Sequence, residues 1–126
     1  MKASNQHPHH PLNILIVDDD STTCQLLELI LKQKNCCTKS AYNLTEARIK
    51  LQEQLPDAVF LDNQLPDGRG IEFIQYIKQI NPSIKVILVT GAEILLPDKN
   101  YPDYFLEKPL SKSLIFKIVD SISESV

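Results

Sequence analysis

Two short apolar runs, Ile14-Leu15-Ile16-Val17 and Ala58-Val59-Phe60-Leu61, each stop abruptly at aspartate. The first meets Asp18-Asp19-Asp20 and the second meets Asp62. Four consecutive apolar residues between polar ones have the pattern of a strand buried on both faces, as in the interior of a parallel sheet. If the two strands lie side by side, their carboxylates crowd together at one edge of the sheet. Like charges that close repel, and the cluster costs stability unless a cation or a shared proton offsets it.

The rest of the chain repeats the strand–helix alternation. Ser21 is a candidate cap for a helix near 22–34, with Leu26, Leu27, Ile30 and Leu31 facing inward. A weaker strand is expected at 37–41, then a helix near 45–54 with Thr45 as candidate cap and Ala47, Leu51 and Leu55 as its stripe. Pro56 closes that helix. After the strand at 58–61, Leu65-Pro66-Asp67-Gly68-Arg69-Gly70 is built from turn residues and reads as a loop. Ile71, Ile74 and Ile77 recur at helical spacing over 71–80, ending at Asn81-Pro82. Val86 to Val89 is another buried run, a short strand is expected at 104–106, and a last helix at 111–122 presents Leu114, Ile115, Ile118, Val119 and Ile122. Five strands alternating with helices argue a doubly wound α/β sheet, whose sites form at the carboxyl ends of its strands.

At 126 residues the chain is one domain, here taken as 12–126 behind a disordered tail, 1–11. The tail's His7, His9 and His10 lack the fixed spacing of a metal site. A net charge of −3 gives no basic footprint for nucleic acid. No apolar stretch approaches a membrane span, no signal peptide h-region is present, and the three cysteines Cys24, Cys36 and Cys37 suit a reducing compartment. The expected location is the cytoplasm, with the thiols as small buried hydrophobes.

Just past the expected strand ends sit Asp18 and Asp19, Asp62, Thr90 and Lys108. Oxygen-only acids suit Mg²⁺. Lysine is a point charge for a phosphoryl oxygen, the threonine hydroxyl can donate to another, and a carboxylate can itself attack phosphorus. Asp20 lies in the acid run but suits the start of a helix, where it complements the dipole.

In these residues the chain resembles the receiver domain of two-component response regulators, over about residues 12–122. The features that carry the resemblance are the Val17-Asp18-Asp19-Asp20 strand end and Asp62 in the pattern D-x-x-L-P-D-x-x-G, with Pro66 and Gly70. Thr90-Gly91, and Phe105 three residues before Lys108-Pro109, complete them. The resemblance implies a flavodoxin-like (βα)₅ fold with strand order 2-1-3-4-5. It also implies that Asp62 accepts a phosphoryl group from the phosphohistidine of a histidine kinase or phosphotransfer protein. Asp19 would ligate Mg²⁺ (or Mn²⁺) directly, Asp18 largely through water, and Gln64 through its backbone carbonyl. Thr90 and Phe105 would form the switch, Lys108 would contact the phosphoryl oxygens, and the bond to Pro109 would be cis. Such a module dephosphorylates itself, so whether to call it an enzyme stays open.

One departure from the family stands out. Only 17 residues separate Thr90 from Lys108, and Pro97 and Pro102 lie among them. Proline is excluded from helix interiors, so the fourth helix is expected to be one or two turns around Ala92 to Leu96, or absent. A phosphorylation-driven dimer would then not use the family's usual fourth-helix face. Alternatives are a receiver-like interaction domain working without phosphorylation, and the receiver part of a hybrid sensor kinase. A flavin protein is disfavoured because acids after strand one would repel the flavin phosphate. A D-x-D phosphatase is disfavoured because Gln64 stands at the second acid's place.

Overall fold

The computed structural model describes residues 11–91 and 101–125. The expectations for the tail and for a shortened helix at Ala92 to Leu96 lie outside the described residues, apart from Pro11.

The elements run β1 (Asn13–Val17), α1 (Ser21–Lys32), β2 (Cys37–Ala41), α2 (Leu44–Glu53), β3 (Ala58–Asp62), β4 (Gln64–Leu65), β5 (Gly68–Arg69), α3 (Gly70–Ile80), β6 (Lys85–Thr90), β7 (Tyr104–Glu107) and α4 (Lys112–Ser125). Five of the strands form one parallel sheet in the order β2-β1-β3-β6-β7. Counting only that sheet's strands, this is the expected 2-1-3-4-5. The segment 65–70, expected as a loop, instead carries the antiparallel pair β4–β5, which turns tightly over Pro66-Asp67.

The unbroken apolar runs are explained by two cores, one on each face of the sheet. Ile14, Ile16, Ala58, Phe60, Ile87 and Val89 pack with α1 and α4. Their alternating neighbours Leu15, Val17, Val59, Leu61, Val86 and Leu88 pack with α2 and α3. Because successive strand side chains point to opposite faces, a strand covered on both sides has no polar position until it emerges.

The helix caps differ from expectation. Asp20, not Ser21, caps α1: its carboxylate accepts from the Thr22 N–H at 3.0 Å and from the Thr23 hydroxyl at 2.9 Å. These two bonds, the Thr23 one foremost, hold its pKa below the usual carboxylate value. Asn43, not Thr45, caps α2, accepting from the Glu46 N–H at 2.7 Å while Glu46 Oε1 accepts from the Tyr42 N–H. The helix therefore starts one residue before Thr45.

Three of the expected inward residues are exposed: Leu26, Leu55 and Leu114. The buried stripe of α1 is Cys24, Leu27, Ile30 and Leu31, and Leu26 sits one helical step of about 100° away from Leu27. Leu55 lies past the end of α2, and Leu114 falls outside the stripe that runs Ile115, Ile118, Val119, Ile122. Of the cysteines only Cys24 is buried, since Cys36 and Cys37 leave the turn after α1 and enter the edge strand β2.

Because Asn43 supplies the side-chain cap of a short helix, Asn43→Ala should cost about 1 kcal/mol. Thermal or urea unfolding should show this as a drop in Tm of roughly 3–6 °C.

Candidate functional site

The pairing of β1 with β3 places Val17 opposite Leu61, so the next residues on each strand, Asp18 and Asp62, emerge side by side at the carboxyl edge. On the other flank Asp62 pairs with Val89, one residue before Thr90, and Thr90 pairs with Glu107, one residue before Lys108. The backbone extends that ladder, with the Lys108 N–H donating to the Thr90 carbonyl at 2.9 Å. Four strand ends thus deliver Asp18, Asp62, Thr90 and Lys108 to one open cleft, which Asp19 and Gln64 also line.

Asp18 and Asp62 are buried, Thr90 is at the margin of burial, and Asp19 is exposed at the mouth. Carboxylate oxygens of Asp18, Asp19 and Asp62 all lie within 4.8 Å of one another. Lys108 Nζ stands 3.0 Å from Asp62 Oδ1 and 3.6 Å from Asp18 Oδ2. The second oxygen of Asp62 accepts from the Gln64 N–H at 3.1 Å, which fixes the plane of its carboxylate.

Electrostatics follow from this crowding. Burial, aided by the neighbouring Asp62 charge, raises the Asp18 pKa, although the Asp20 N–H donated to its Oδ1 at 2.9 Å opposes the shift. Burial alone would lower the Lys108 pKa, but Asp62 and Asp18 outweigh it and hold the ammonium above its ordinary value. Among the described residues one lysine therefore faces several acids, which leaves the cleft an excess of negative charge. Beneath it, the Cys24 thiol donates to the Asp18 carbonyl at 3.4 Å, and burial pushes its pKa up to about 11. Cys24 is thus a neutral support under the acid edge.

Every sequence-predicted site residue except Phe105 falls in or beside this cleft. Phe105 is 46% exposed, on β7 outside the cleft lining. The Lys108-Pro109 bond is cis, as expected. Asp20 lines the rim while serving as the α1 cap.

Three residues with structural parts here were not singled out for those parts from the sequence. Asp67 accepts from the Leu44 and Thr45 N–H groups and the Thr45 hydroxyl, at 2.8 to 3.0 Å, and so pins the β4–β5 hairpin to the start of α2. The Leu44 bond foremost lowers its pKa. Gly70 lies against the Asp62 backbone: a Cβ there would collide with the Asp62 carbonyl oxygen and crowd Leu61 and Asn63. Asn63, one residue past Asp62, is itself buried. The signal for the first two was the D-x-x-L-P-D-x-x-G spacing, which says that these positions matter but not why.

A doubly wound parallel sheet with an acidic cleft at its carboxyl edge, closed by one lysine, defines a class of α/β switch-point modules. Within that class the family is specific. The family model described as "Response regulator receiver domain" matches residues 14–120, and the chain belongs to this family. It is 41% identical over 77 residues to the response regulator protein PilR of Pseudomonas aeruginosa, an alignment covering 61% of this chain and 17% of that protein. It is 35% identical over 80 residues to the transcriptional regulatory protein ZraR of Klebsiella oxytoca, covering 64% of this chain and 18% of that one. The matched part of the chain thus spans less than a fifth of the length of these relatives. Among solved structures, it is similar to a CheY-like receiver domain protein from Methanospirillum hungatei. The TM-score is 0.83 at 27% identity, with 91% of this chain and 96% of that chain covered. Among the described residues, no helix is long and apolar enough to cross a membrane.

The Gly70 contact leads to a specific expectation. Gly70→Ala forces the Asp62 carbonyl to shift and should cost about 1–3 kcal/mol, the usual range for overpacking a dense interior. Urea unfolding measures the loss.

Proposed function

We propose that Asp62 is the phosphoacceptor of a two-component signalling module, receiving its phosphoryl group from the phosphohistidine of a sensor histidine kinase or phosphotransfer protein. The observation that carries this proposal is the convergence of the Asp18, Asp19 and Asp62 carboxylates beside Lys108 Nζ, 3.0 Å from Asp62 Oδ1, in a cleft open to solvent.

The donor set fits a hard divalent cation: three carboxylates, no sulfur or imidazole, and uncompensated negative charge. Asp19 and Asp62 would hold Mg²⁺ (or Mn²⁺) directly, Asp18 largely through water, and Gln64 through its backbone carbonyl. When bound, the ion neutralises charge on the acids and on the transferring phosphoryl oxygens.

The chain's own residues account for the remaining requirements. The Gln64 N–H and Lys108 hold both oxygens of Asp62, so the nucleophile is oriented before a donor arrives. One Asp62 oxygen attacks phosphorus and a P–O bond forms. The P–N bond to the donor imidazole breaks, and its electron pair returns to the ring nitrogen. Lys108, anchored to Thr90 through its backbone, stays charged and faces the phosphoryl oxygens. The Thr90 hydroxyl donates to another of those oxygens, and Phe105 follows by changing rotamer. Water later cleaves the acyl phosphate, returning Asp62 and inorganic phosphate. The proposed kinase partnership implies a cytoplasmic location. A net charge of −3 gives no overall basic footprint that would suggest nucleic acid.

Incubation with acetyl phosphate and Mg²⁺ should add one phosphoryl group by intact mass. Asp62→Asn should abolish the adduct, and EDTA should suppress it. Wild-type protein that stays unlabelled under these conditions would overturn the proposal. In parallel, Mg²⁺ at ten times its Kd should stabilise the native state by about 1.4 kcal/mol. A Tm independent of millimolar Mg²⁺ would contradict the assigned metal site.

A further inference from the structure

Asn63 is only 5% exposed, an unusual placement for a carboxamide, and three hydrogen bonds spread from it to two neighbouring elements. Its N–H donates to the Val89 carbonyl at 3.1 Å, on the strand that carries Thr90. Its carbonyl accepts from the Gly70 N–H at 2.8 Å, and its side-chain Oδ1 accepts from the Ile71 N–H at 3.0 Å. Gly70 and Ile71 open α3, whose own cap residue, Arg69, makes no side-chain cap bond. The cap of α3 is therefore supplied from outside the helix, by the residue bonded to Asp62.

We propose that Asn63 is a positioning residue for phosphoryl acceptance. Its bonds tie the end of β3 to the N-terminus of α3 and so set the backbone of Asp62, Asn63 and Gln64. This rests on the phosphoacceptor reading of Asp62. The same short segment carries the nucleophile on one side and, on the other, both the Gln64 N–H that orients Asp62 and the Gln64 carbonyl assigned to the metal. Gly70, packed against the Asp62 carbonyl, closes the same joint from the helix side. A residue without an acceptor at 63 keeps the two main-chain bonds but leaves the Ile71 N–H unserved at a buried helix start, and so removes the one tie on the 62–64 backbone that depends on the side chain. Groups that orient metal ligands without touching the metal commonly affect affinity 10- to 100-fold when removed. The amide oxygen is the essential group, so an isosteric carboxylate keeps the cap and an alanine does not.

The test measures acetyl-phosphate labelling of the full chain as a function of Mg²⁺, alongside Tm. Asn63→Ala should raise the Mg²⁺ concentration for half-maximal labelling by about 10-fold, while Asn63→Asp, which keeps the acceptor and adds a charge that attracts the cation, should not raise it. Val119→Ala, a buried change on the opposite face of the sheet, controls for lost stability and should lower Tm with no change in the Mg²⁺ midpoint. If Asn63→Ala does not fold, Asn63→Leu, which fills the carboxamide's volume but offers Ile71 no acceptor, should show the same displaced midpoint. A lowered Tm with a wild-type midpoint in the Asn63 variant would overturn the positioning role. So would a displaced midpoint in Val119→Ala. Failure of the underlying reading looks different: the wild-type protein itself does not label.

Discussion

The register of β1 against β3 is the constraint on which the rest depends. Once Val17 lies opposite Leu61, Asp18 and Asp62 emerge as neighbours, and their repulsion has to be met within a few ångströms. Slipping that register by one residue would turn Ile14, Ile16, Phe60 and their neighbours toward the wrong helices, so the two cores hold the acids together. Lys108 meets part of the repulsion from the far side of the cleft. The remaining negative charge is what suits the edge to the cation proposed for it.

The surroundings of Asp62 show how a fold can hold a carboxylate firmly on the wall of an open cleft. One oxygen rests on a backbone N–H and the other on an ammonium. The segment behind it is tied to β6, to α3 and, through Asp67, to α2. Nearly all of these ties are hydrogen bonds from main-chain donors, which move only if whole elements move. Capping groups borrowed across elements, Asp67 on α2 and Asn63 on α3, couple the loop after β3 to two helices at once.

Much of this was legible in the sequence because its physics is local or periodic. Apolar runs of four residues marked three of the sheet's five strands, strand–helix alternation argued that the sheet is parallel, and the order of its strands came from the family resemblance. The acids, Thr90 and Lys108 stood where each run ended. The failures were of another kind. Ser21 and Thr45 have the chemistry of caps, but Asp20 and Asn43 lie one and two residues earlier, with side chains that reach the open N–H groups. Leu26 and Leu114 are apolar, yet angular position decides which apolar side chain meets the sheet. Neither Asn63 nor Asp67 shows its partner in the sequence: Ile71 lies 8 residues away from one and Leu44 23 residues from the other. Such contacts exist only after the chain has folded.

If the carboxyl-edge acids, Thr90 and Lys108 form one metal-dependent phosphoryl-accepting site, as proposed, they should respond to metal and phosphoryl analogue as a unit. Backbone amide NMR with Mg²⁺ and beryllofluoride, which stands in for a phosphoryl group on an aspartate, tests it most directly. Mg²⁺ alone should shift the amides of residues 18–20 and 62–64. Addition of beryllofluoride should then extend the shifts to Thr90, Gly91 and Lys108, in slow exchange and only when Mg²⁺ is present. Spectra unchanged by either addition, or shifts confined to residues away from the carboxyl edge, would contradict it.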